Sequence, residues 1–288
     1  MASGATIFFI PYKLAGVPAR LFEFLRAGGV NFIFWVPTVM VNIANLDLLN
    51  KVELPGLRTI WYAGEVFPTK HVNYWRRHLP KTKFVNLYGP IEITLDCTYY
   101  VLDREFAENE PIPIGFPCRN TDVLILDEKN EPAKPGETGE LCVRGTGLAM
   151  GYWNNPENTA RAFVQNPLNP HYPETIYRTG DLVCRNERGE IMFIGRRDFQ
   201  IKHLGYRIEL GEIEHAVLGS AAGIDNACVL YHKGKREIVL FYEAKTEIPP
   251  ADLRKKLSEI LPKYMIPTEY FHLEEMPRNP NGKIDRNL

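Results

Sequence analysis

The sequence predicts a fold of mixed α/β and α+β class, in which a partial parallel βα layer is followed by an antiparallel β subdomain and a small α+β C-terminal domain. Strand-like and helix-like segments alternate before residue 112, short strands follow one another up to residue 195, and helices return after Arg197. Alternation is typical of a parallel sheet covered by helices, and closely spaced short strands are typical of an antiparallel sheet or barrel. We therefore expect a partial α/β subdomain at 1–111, a barrel-like subdomain at 112–197 and a C-terminal domain at 198–288.

In the first part, apolar runs predict strands, and apolar residues at helical spacing predict helices. A helix ending at Gly28-Gly29 has the glycine expected at a helix C-terminus. The predicted strands are Thr6–Ile10, Asn31–Val36, Leu57–Ala63 and Lys83–Leu87, and the predicted helices are Ala19–Ala27, Pro37–Ile43 and Thr69–His78. Ligands bind beyond the carboxyl ends of parallel strands, so the loops after Ala63 and Leu87 are expected to border a site.

The second and third parts contain shorter elements separated by turn-forming residues. The predicted elements of the second part are the strands Asp122–Asp127, Gly139–Arg144, Leu182–Arg185 and Ile191–Ile194 and the helix Thr159–Phe163. Those of the third part are the helices Glu212–Leu218 and Pro250–Leu261 and the strands Ile224–His232 and Glu237–Lys245. The last helix begins with proline, which the first helical turn accommodates because that N–H has no partner there.

The composition excludes several classes of function. The 288 residues carry a net charge of -1, so neither a nucleic-acid nor a membrane-surface partner is expected. The five cysteines form no Cys-x-x-Cys pair and the seven histidines no His-x-x-x-His pair, which argues against a zinc site. The odd number of cysteines favours a reducing, cytoplasmic compartment. The apolar run 32–41 is interrupted by Pro37 and is shorter than the roughly 20 residues that span a membrane, so no membrane insertion is expected.

The most informative stretch is 176–214, in which glycines separate a series of charged residues. Glycine permits positive φ angles and close approach to a ligand, and charges at such turns are presented outward from a rigid scaffold. Its first motif is Tyr177-Arg-Thr-Gly-Asp181. Two further motifs lie outside it, Asn86-Leu-Tyr-Gly-Pro-Ile-Glu92 at a strand end and Asn279-Pro-Asn-Gly-Lys-Ile-Asp-Arg286 near the C-terminus.

In this order the motifs resemble the adenylate-forming superfamily, specifically the amino-acid-adenylating domains of nonribosomal peptide synthetases and the D-alanine–carrier-protein ligases. Gly139-Glu-Leu-Cys-Val-Arg-Gly145 with Gly151-Tyr-Trp is similar to another core motif of that family, and the resemblance covers essentially the whole chain. It implies a two-step reaction. A substrate carboxylate attacks the α-phosphate of ATP to give an adenylate and pyrophosphate, and the phosphopantetheine thiol of an acyl or peptidyl carrier protein then takes the acyl group.

The resemblance also implies roles for single residues. Tyr88 would stack on the adenine of ATP or AMP, and Asp181 would accept hydrogen bonds from the ribose hydroxyls. Arg196 would donate to the ribose or phosphate, and Glu92 would bind Mg²⁺, which commonly uses one or two carboxylates plus phosphate oxygens. Lys283 would place an ammonium between the reacting carboxylate and the triphosphate, offsetting their repulsion.

Other expectations concern the C-terminal domain and the substrate. By the same resemblance this domain is a lid that rotates about the hinge Asp198, and Lys202 to Gly205 then approach the active site and shape the thiol tunnel. The substrate pocket is expected to involve residues around the two strand ends: Trp61, Ala63, Leu87, Leu95 and Asp96.

The pattern Leu204-Gly-Tyr-Arg-Ile-Glu-Leu-Gly-Glu-Ile-Glu214 favours amino-acid activation over acyl-CoA synthesis. An acyl- or aryl-CoA ligase fragment and a catalytically dead interaction module remain alternatives. The sequence departs from the family at Ile91, where threonine is usual, and it lacks the Ser/Thr/Gly-rich phosphate loop and the Phe-Asp segment that bind ATP and substrate. We therefore expect a C-terminal portion of a larger enzyme, which needs an N-terminal part and has little ligase activity alone.

Overall fold

The protein is described by a computed structural model that covers residues 4–11, 14, 17–197, 200–220, 223–278 and 284–286. The chain divides into two compact units, Met1–Arg197 and Asp198–Leu288. In the described parts of the chain, no helix is both long enough and apolar enough to cross a membrane.

The first unit contains a five-stranded sheet with the strand order β1-β2-β3-β4-β5. β1, β2 and β3 run parallel, and β4 and β5 are added antiparallel. The strands are β1 (Phe32–Trp35), β2 (Thr59–Tyr62), β3 (Lys83–Tyr88), β4 (Thr98–Val101) and β5 (Phe116–Pro117), and the helices among them are α1 (Pro18–Ala27), α2 (Pro37–Asn45) and α3 (Thr69–His78).

The two faces of this sheet differ. Ile60 and Tyr62 of β2 are at most 1% exposed, because they pack with the helices in a large apolar core. Trp61, which points to the opposite face, is 39% exposed and makes edge-on ring contacts with Phe32 and Phe34. One face therefore forms the core of the subdomain, and the other presents aromatic side chains.

A second, antiparallel sheet follows in the same unit, with the order β10-β9-β7-β6 and β8 paired to β9. Its elements are β6 (Thr121–Leu126), β7 (Gly139–Gly145), α4 (Pro156–Ala162), β8 (Phe163–Gln165), β9 (Thr175–Arg185) and β10 (Ile191–Arg196). Tyr88 at the end of β3 and Cys97 just before β4 belong to the same apolar cluster as Val143 and Tyr177 of the second sheet. This shared core holds the end of β3 against β9, which positions the candidate site.

The second unit begins with the hairpin β11 (Gln200–His203) and β12 (Tyr206–Glu209). Its turn residues Leu204 and Gly205 both have positive φ, at 51° and 84°, as a two-residue type I′ turn requires. A three-stranded sheet follows in the order β13-β14-β15, with β15 parallel to β14. Its elements are α5 (Leu210–Ser220), β13 (Ile224–His232), β14 (Glu237–Ala244), α6 (Pro250–Ile260) and β15 (Glu269–Leu273).

Several elements differ from the sequence prediction. Residues 4–11 contain no strand, so the predicted strand Thr6–Ile10 was wrong; the Phe8 ring instead packs against Phe24 of α1, 6.3 Å away. The helix predicted at Thr159–Phe163 begins three residues earlier, at Pro156, where the Asn155 side chain caps it by accepting from Asn158 N at 3.2 Å. The assignment of the chain to three functional subdomains stays a prediction.

Candidate nucleotide and metal site

A tight loop follows the carboxyl end of β3 and brings Glu92 to the site. A Cβ at Gly89 would lie 2.3 Å from Leu95 O and 2.8 Å from Cys97 N, so no other residue fits this turn. Cys97 N donates to Tyr88 O at 2.8 Å and closes the loop. Thr94 and Leu95 both have positive φ, at 63° and 88°, a conformation that is uncommon outside glycine and clusters at functional sites.

Tyr88, Asp181 and Arg196 converge beside this loop. The Tyr88 hydroxyl donates to Oδ2 of Asp181, and Arg196 Nη1 donates to Oδ1 at 2.8 Å. Asp181 and Arg196 are direct cross-strand partners on β9 and β10. The structure therefore brings together three predicted nucleotide residues, of which Tyr88 and Asp181 are 93 positions apart in the chain.

This arrangement is buried, and its burial keeps the Tyr88 hydroxyl protonated. Asp181 is 3% exposed and Tyr88 5% exposed. Burial, reinforced by the Asp181 charge, raises the pKa of Tyr88 well above its ordinary value, so its hydroxyl remains a hydrogen-bond donor at neutral pH. A buried carboxylate is costly unless it is paired and hydrogen-bonded, and here both of its oxygens accept a bond.

Glu92 lies in the short 3₁₀ turn Ile91–Ile93 and is 9% exposed. Its Oε1 accepts a hydrogen bond from the Tyr152 hydroxyl at 2.7 Å, and its backbone oxygen accepts from Ala149 N at 2.8 Å. The sequence reasoning identified Gly151-Tyr-Trp as a motif but missed this contact of Tyr152. Neighbouring Ile91 is 82% exposed, so the loop presents an aliphatic side chain where the family usually has a hydroxyl.

The Glu92 carboxylate fits a magnesium ion that is bound together with the phosphates of a nucleotide. Among the described residues, no group of three or more His, Cys, Asp or Glu side chains could hold a metal ion by itself. Mg²⁺ is usually held by one or two carboxylates together with substrate phosphates rather than by a protein cage. A single acidic residue such as Glu92 on a tight loop, near the Tyr88–Asp181 pair, matches that mode of binding.

The predicted pocket residues lie near the same loop but differ in exposure. Ala63 and Leu87 are buried in one small cluster with Val85 on the aromatic sheet face. Trp61 is 39% and Leu95 51% exposed, and Asp96 is partly buried in the returning half of the loop.

The remaining predicted site residues belong to the second unit. Lys202 pairs with Arg207 across the β11–β12 hairpin, and Gly205 forms its turn. Asp198 and Lys283 lie outside the residues that the structure describes.

Comparison with known proteins identifies the family. A family model described as AMP-binding enzyme matches residues 1–153. The chain is 38% identical over 286 residues to tyrocidine synthase 3 of Brevibacillus parabrevis, an alignment that covers 98% of this chain and 4% of that protein. The chain thus spans only a small part of this relative.

Solved structures give the same result. PA1221, a nonribosomal peptide synthetase protein containing adenylation and PCP domains, matches with a TM-score of 0.79 and 30% identity over 94% of this chain and 46% of that one. The Vibrio cholerae adenylation domain AlmE, solved with glycyl-adenosine-5′-phosphate, matches with a TM-score of 0.81 and 27% identity over 96% of this chain and 52% of that one. The chain covers about half of each, and the predicted fold class is confirmed.

The family model covers more than half of the chain, and it includes the tight loop that carries Tyr88 and Glu92. The prediction made from the motifs is therefore confirmed, and the chain belongs to the AMP-binding enzymes of the adenylate-forming superfamily.

Proposed function

We propose that the protein is the nucleotide-handling part of an AMP-forming ligase that activates an amino acid as its adenylate. The observation that carries this proposal is the buried Asp181 carboxylate, oriented by Tyr88 from one sheet and by Arg196 from the other. The loop beside this carboxylate contains two residues with positive φ, Thr94 and Leu95, and strained backbone of this kind clusters at functional sites.

Each residue of this group has a defined task in the proposal. Asp181 accepts hydrogen bonds from the ribose hydroxyls; a carboxylate has about four acceptor positions, so it can bind them in addition to its present donors. Tyr88, held protonated, keeps the carboxylate in place and supports the adenine. Arg196 places a permanent positive charge beside the ribose and the phosphates.

Glu92 would hold the Mg²⁺ ion together with the phosphates of ATP, and the bound ion would neutralise phosphate charge during attack by the carboxylate. Lys283 would donate to the two anions as they approach one another. By the family resemblance, Asp198 would be the hinge of the C-terminal domain. Lys202 and Gly205 would line the path of the carrier-protein thiol.

The proposed substrate is an amino acid, and the proposed acceptor is the phosphopantetheine thiol of a carrier protein. AlmE was solved with a glycyl adenylate, which supports an amino-acid substrate for this chain. PA1221 contains a PCP domain, which supports a carrier protein as the acceptor. Residues Trp61, Ala63, Leu87, Leu95 and Asp96 would border the amino-acid side chain. A D-alanine–carrier-protein ligase lies within this class.

The nucleotide assignment is tested by AMP binding to the 288-residue chain, measured by isothermal titration calorimetry. Asp181→Asn is expected to weaken AMP binding at least tenfold, because hydrogen bonds to a charged group contribute about 1.5–3 kcal/mol each. Asp103→Asn is the matched control, since Asp103 is an exposed aspartate of the same unit. Equal AMP affinities of the Asp181→Asn variant and the unaltered chain would contradict the assignment.

Stable adenylate analogues separate the substrate classes. Glycyl- and alanyl-sulfamoyl adenosine are expected to bind more tightly than AMP, because both halves of the intermediate then contribute to affinity. A preference for hexanoyl- or benzoyl-sulfamoyl adenosine would instead indicate an acyl- or aryl-CoA ligase. Failure to bind any adenosine compound would contradict the nucleotide assignment and favour the interaction module.

A further inference from the structure

We infer that Tyr152 is a positioning residue for the metal-dependent step, whose hydroxyl fixes the orientation of the Glu92 carboxylate. The inference rests on the proposed role of Glu92 as a magnesium ligand. It adds to the site a residue that lies 60 positions from Glu92 in sequence, in the segment between β7 and α4.

The contact is direct and continues into the core. The Tyr152 hydroxyl lies 2.7 Å from Oε1 of Glu92 and 3.4 Å from the hydroxyl of Tyr177, which is 1% exposed. A protonated phenol can donate to a carboxylate, and the Glu92 side chain is thereby tied to the second sheet.

The segment that carries Tyr152 is held in place independently of this hydrogen bond. Tyr152 N donates to Thr159 Oγ1 at 2.9 Å, and a Cβ at Gly151 would lie 2.5 Å from Thr159 Cγ2, so the backbone fits closely onto α4. On the other side, Thr94 Oγ1 donates to Gly147 O at 2.7 Å and joins the same segment to the Glu92 loop. The Tyr152 ring also packs edge-on against Phe163, with ring centroids 5.7 Å apart.

These contacts separate the two contributions of the side chain. Phenylalanine at position 152 would keep the packing against Phe163 and the backbone contacts, and would remove only the hydroxyl. Carboxylates that bind metals are commonly oriented by hydrogen bonds from neighbouring residues, and loss of such a partner typically weakens metal affinity or activity by about 10–100-fold. We therefore expect Tyr152→Phe to reduce the contribution of Mg²⁺ to ATP binding and to leave the stability of the fold unchanged.

The experiment compares binding of three nucleotide forms to the 288-residue chain by calorimetry: AMP, ATP with EDTA, and ATP with Mg²⁺. The ratio of the dissociation constants for ATP with EDTA and ATP with Mg²⁺ measures how much the metal contributes to binding. Tyr152→Phe is expected to lower this ratio about tenfold, with AMP affinity and thermal midpoint unchanged. Tyr172→Phe is the matched control, because Tyr172 is 60% exposed in a loop of the same unit.

The Glu92→Gln variant separates the proposed metal-binding role of Glu92 from the proposed positioning role of Tyr152. If Glu92→Gln lowers the ratio but Tyr152→Phe does not, Glu92 is a metal ligand and the positioning role of Tyr152 is wrong. If Glu92→Gln leaves the ratio unchanged, the metal assignment itself is wrong and the role of Tyr152 falls with it. In the Glu92→Gln background, Tyr152→Phe should cause no additional loss; an independent loss would assign Tyr152 a merely structural role.

Discussion

The absence of one side chain, at Gly89, allows the loop after β3 to fold back on itself. Gly89→Ala would place a Cβ within 2.8 Å of the backbone of residues 95–97, which cannot move aside as a flexible side chain could. Overpacking of this kind typically costs about 1–3 kcal/mol, so we expect the free energy of unfolding to fall by about this amount. Urea denaturation of the variant and the unaltered chain measures the loss.

Gly56→Ala is the control for this change, because its Cβ would make only an ordinary contact at 3.7 Å with Val30 O. Equal stability of the Gly89→Ala variant and this control would show that the loop does not require its close backbone approach. A selective loss of nucleotide binding without loss of stability would show that the loop relaxes into another conformation.

At the residue scale, the motifs predicted which side chains form the candidate site but not how they contact one another. Tyr88, Asp181 and Glu92 were proposed because the short motifs that carry them resemble those of the adenylate-forming superfamily. The hydroxyl contacts of Tyr88 with Asp181 and of Tyr152 with Glu92 join residues 93 and 60 positions apart. Whether two side chains so far apart in sequence meet depends on how the two sheets pack, and a local sequence pattern does not determine this packing.

At the scale of elements, the prediction succeeded where a periodic pattern and its boundaries coincide. α3 and β13 have the predicted limits, because polar or turn-forming residues flank an apolar pattern of the right period. β4 (Thr98–Val101) was missed, since this strand is defined by its antiparallel pairing with β3, which a local pattern does not show. Thr6–Ile10 is strand-like in composition but has no such partner in residues 4–11.

An element-scale prediction concerns Glu243 near the end of β14. Its carboxylate accepts from Met276 N at 2.8 Å and from Asn226 Nδ2 at 2.9 Å, and Arg278 Nη2 lies 3.7 Å away. The Met276 N–H, with help from Asn226 and Arg278, holds the pKa of Glu243 below the ordinary value of 4.5. A lowered folded pKa stabilises the fold above the unfolded value, and this stability is lost as pH falls through the folded pKa.

We therefore expect Glu243→Gln to be less stable than the unaltered chain at pH 6, with the difference shrinking as the pH falls below about 4.5. The free energy of unfolding from denaturant titrations across this range is the measurement. Glu247→Gln, at an exposed carboxylate, should show no such trend. A stability difference that is constant with pH would mean that these contacts do not depend on the charge of Glu243.

At the scale of the whole molecule, the two units differ in how their cores are built. The core of the second unit is drawn from positions 208–265 and includes alternate residues of β14, with Leu240 and Tyr242 at most 1% exposed. In the first unit, the cluster containing Tyr88 draws residues from both sheets, and the candidate nucleotide site lies beside it. Nucleotide binding should therefore stabilise the first unit, because ligands stabilise the structure that binds them.

The self-contained core of the second unit predicts that residues 198–288 fold on their own. This length is above the roughly 55–65 residues at which many domains fold alone, and the unit has a sheet covered by two helices. The isolated segment is expected to unfold cooperatively in circular dichroism, and Leu240→Ala should destabilise it by about 2–5 kcal/mol through loss of core packing. Lys255→Ala, at an exposed position of α6, is the control. A gradual, non-cooperative transition, or insensitivity to Leu240→Ala, would show that the core depends on the first unit.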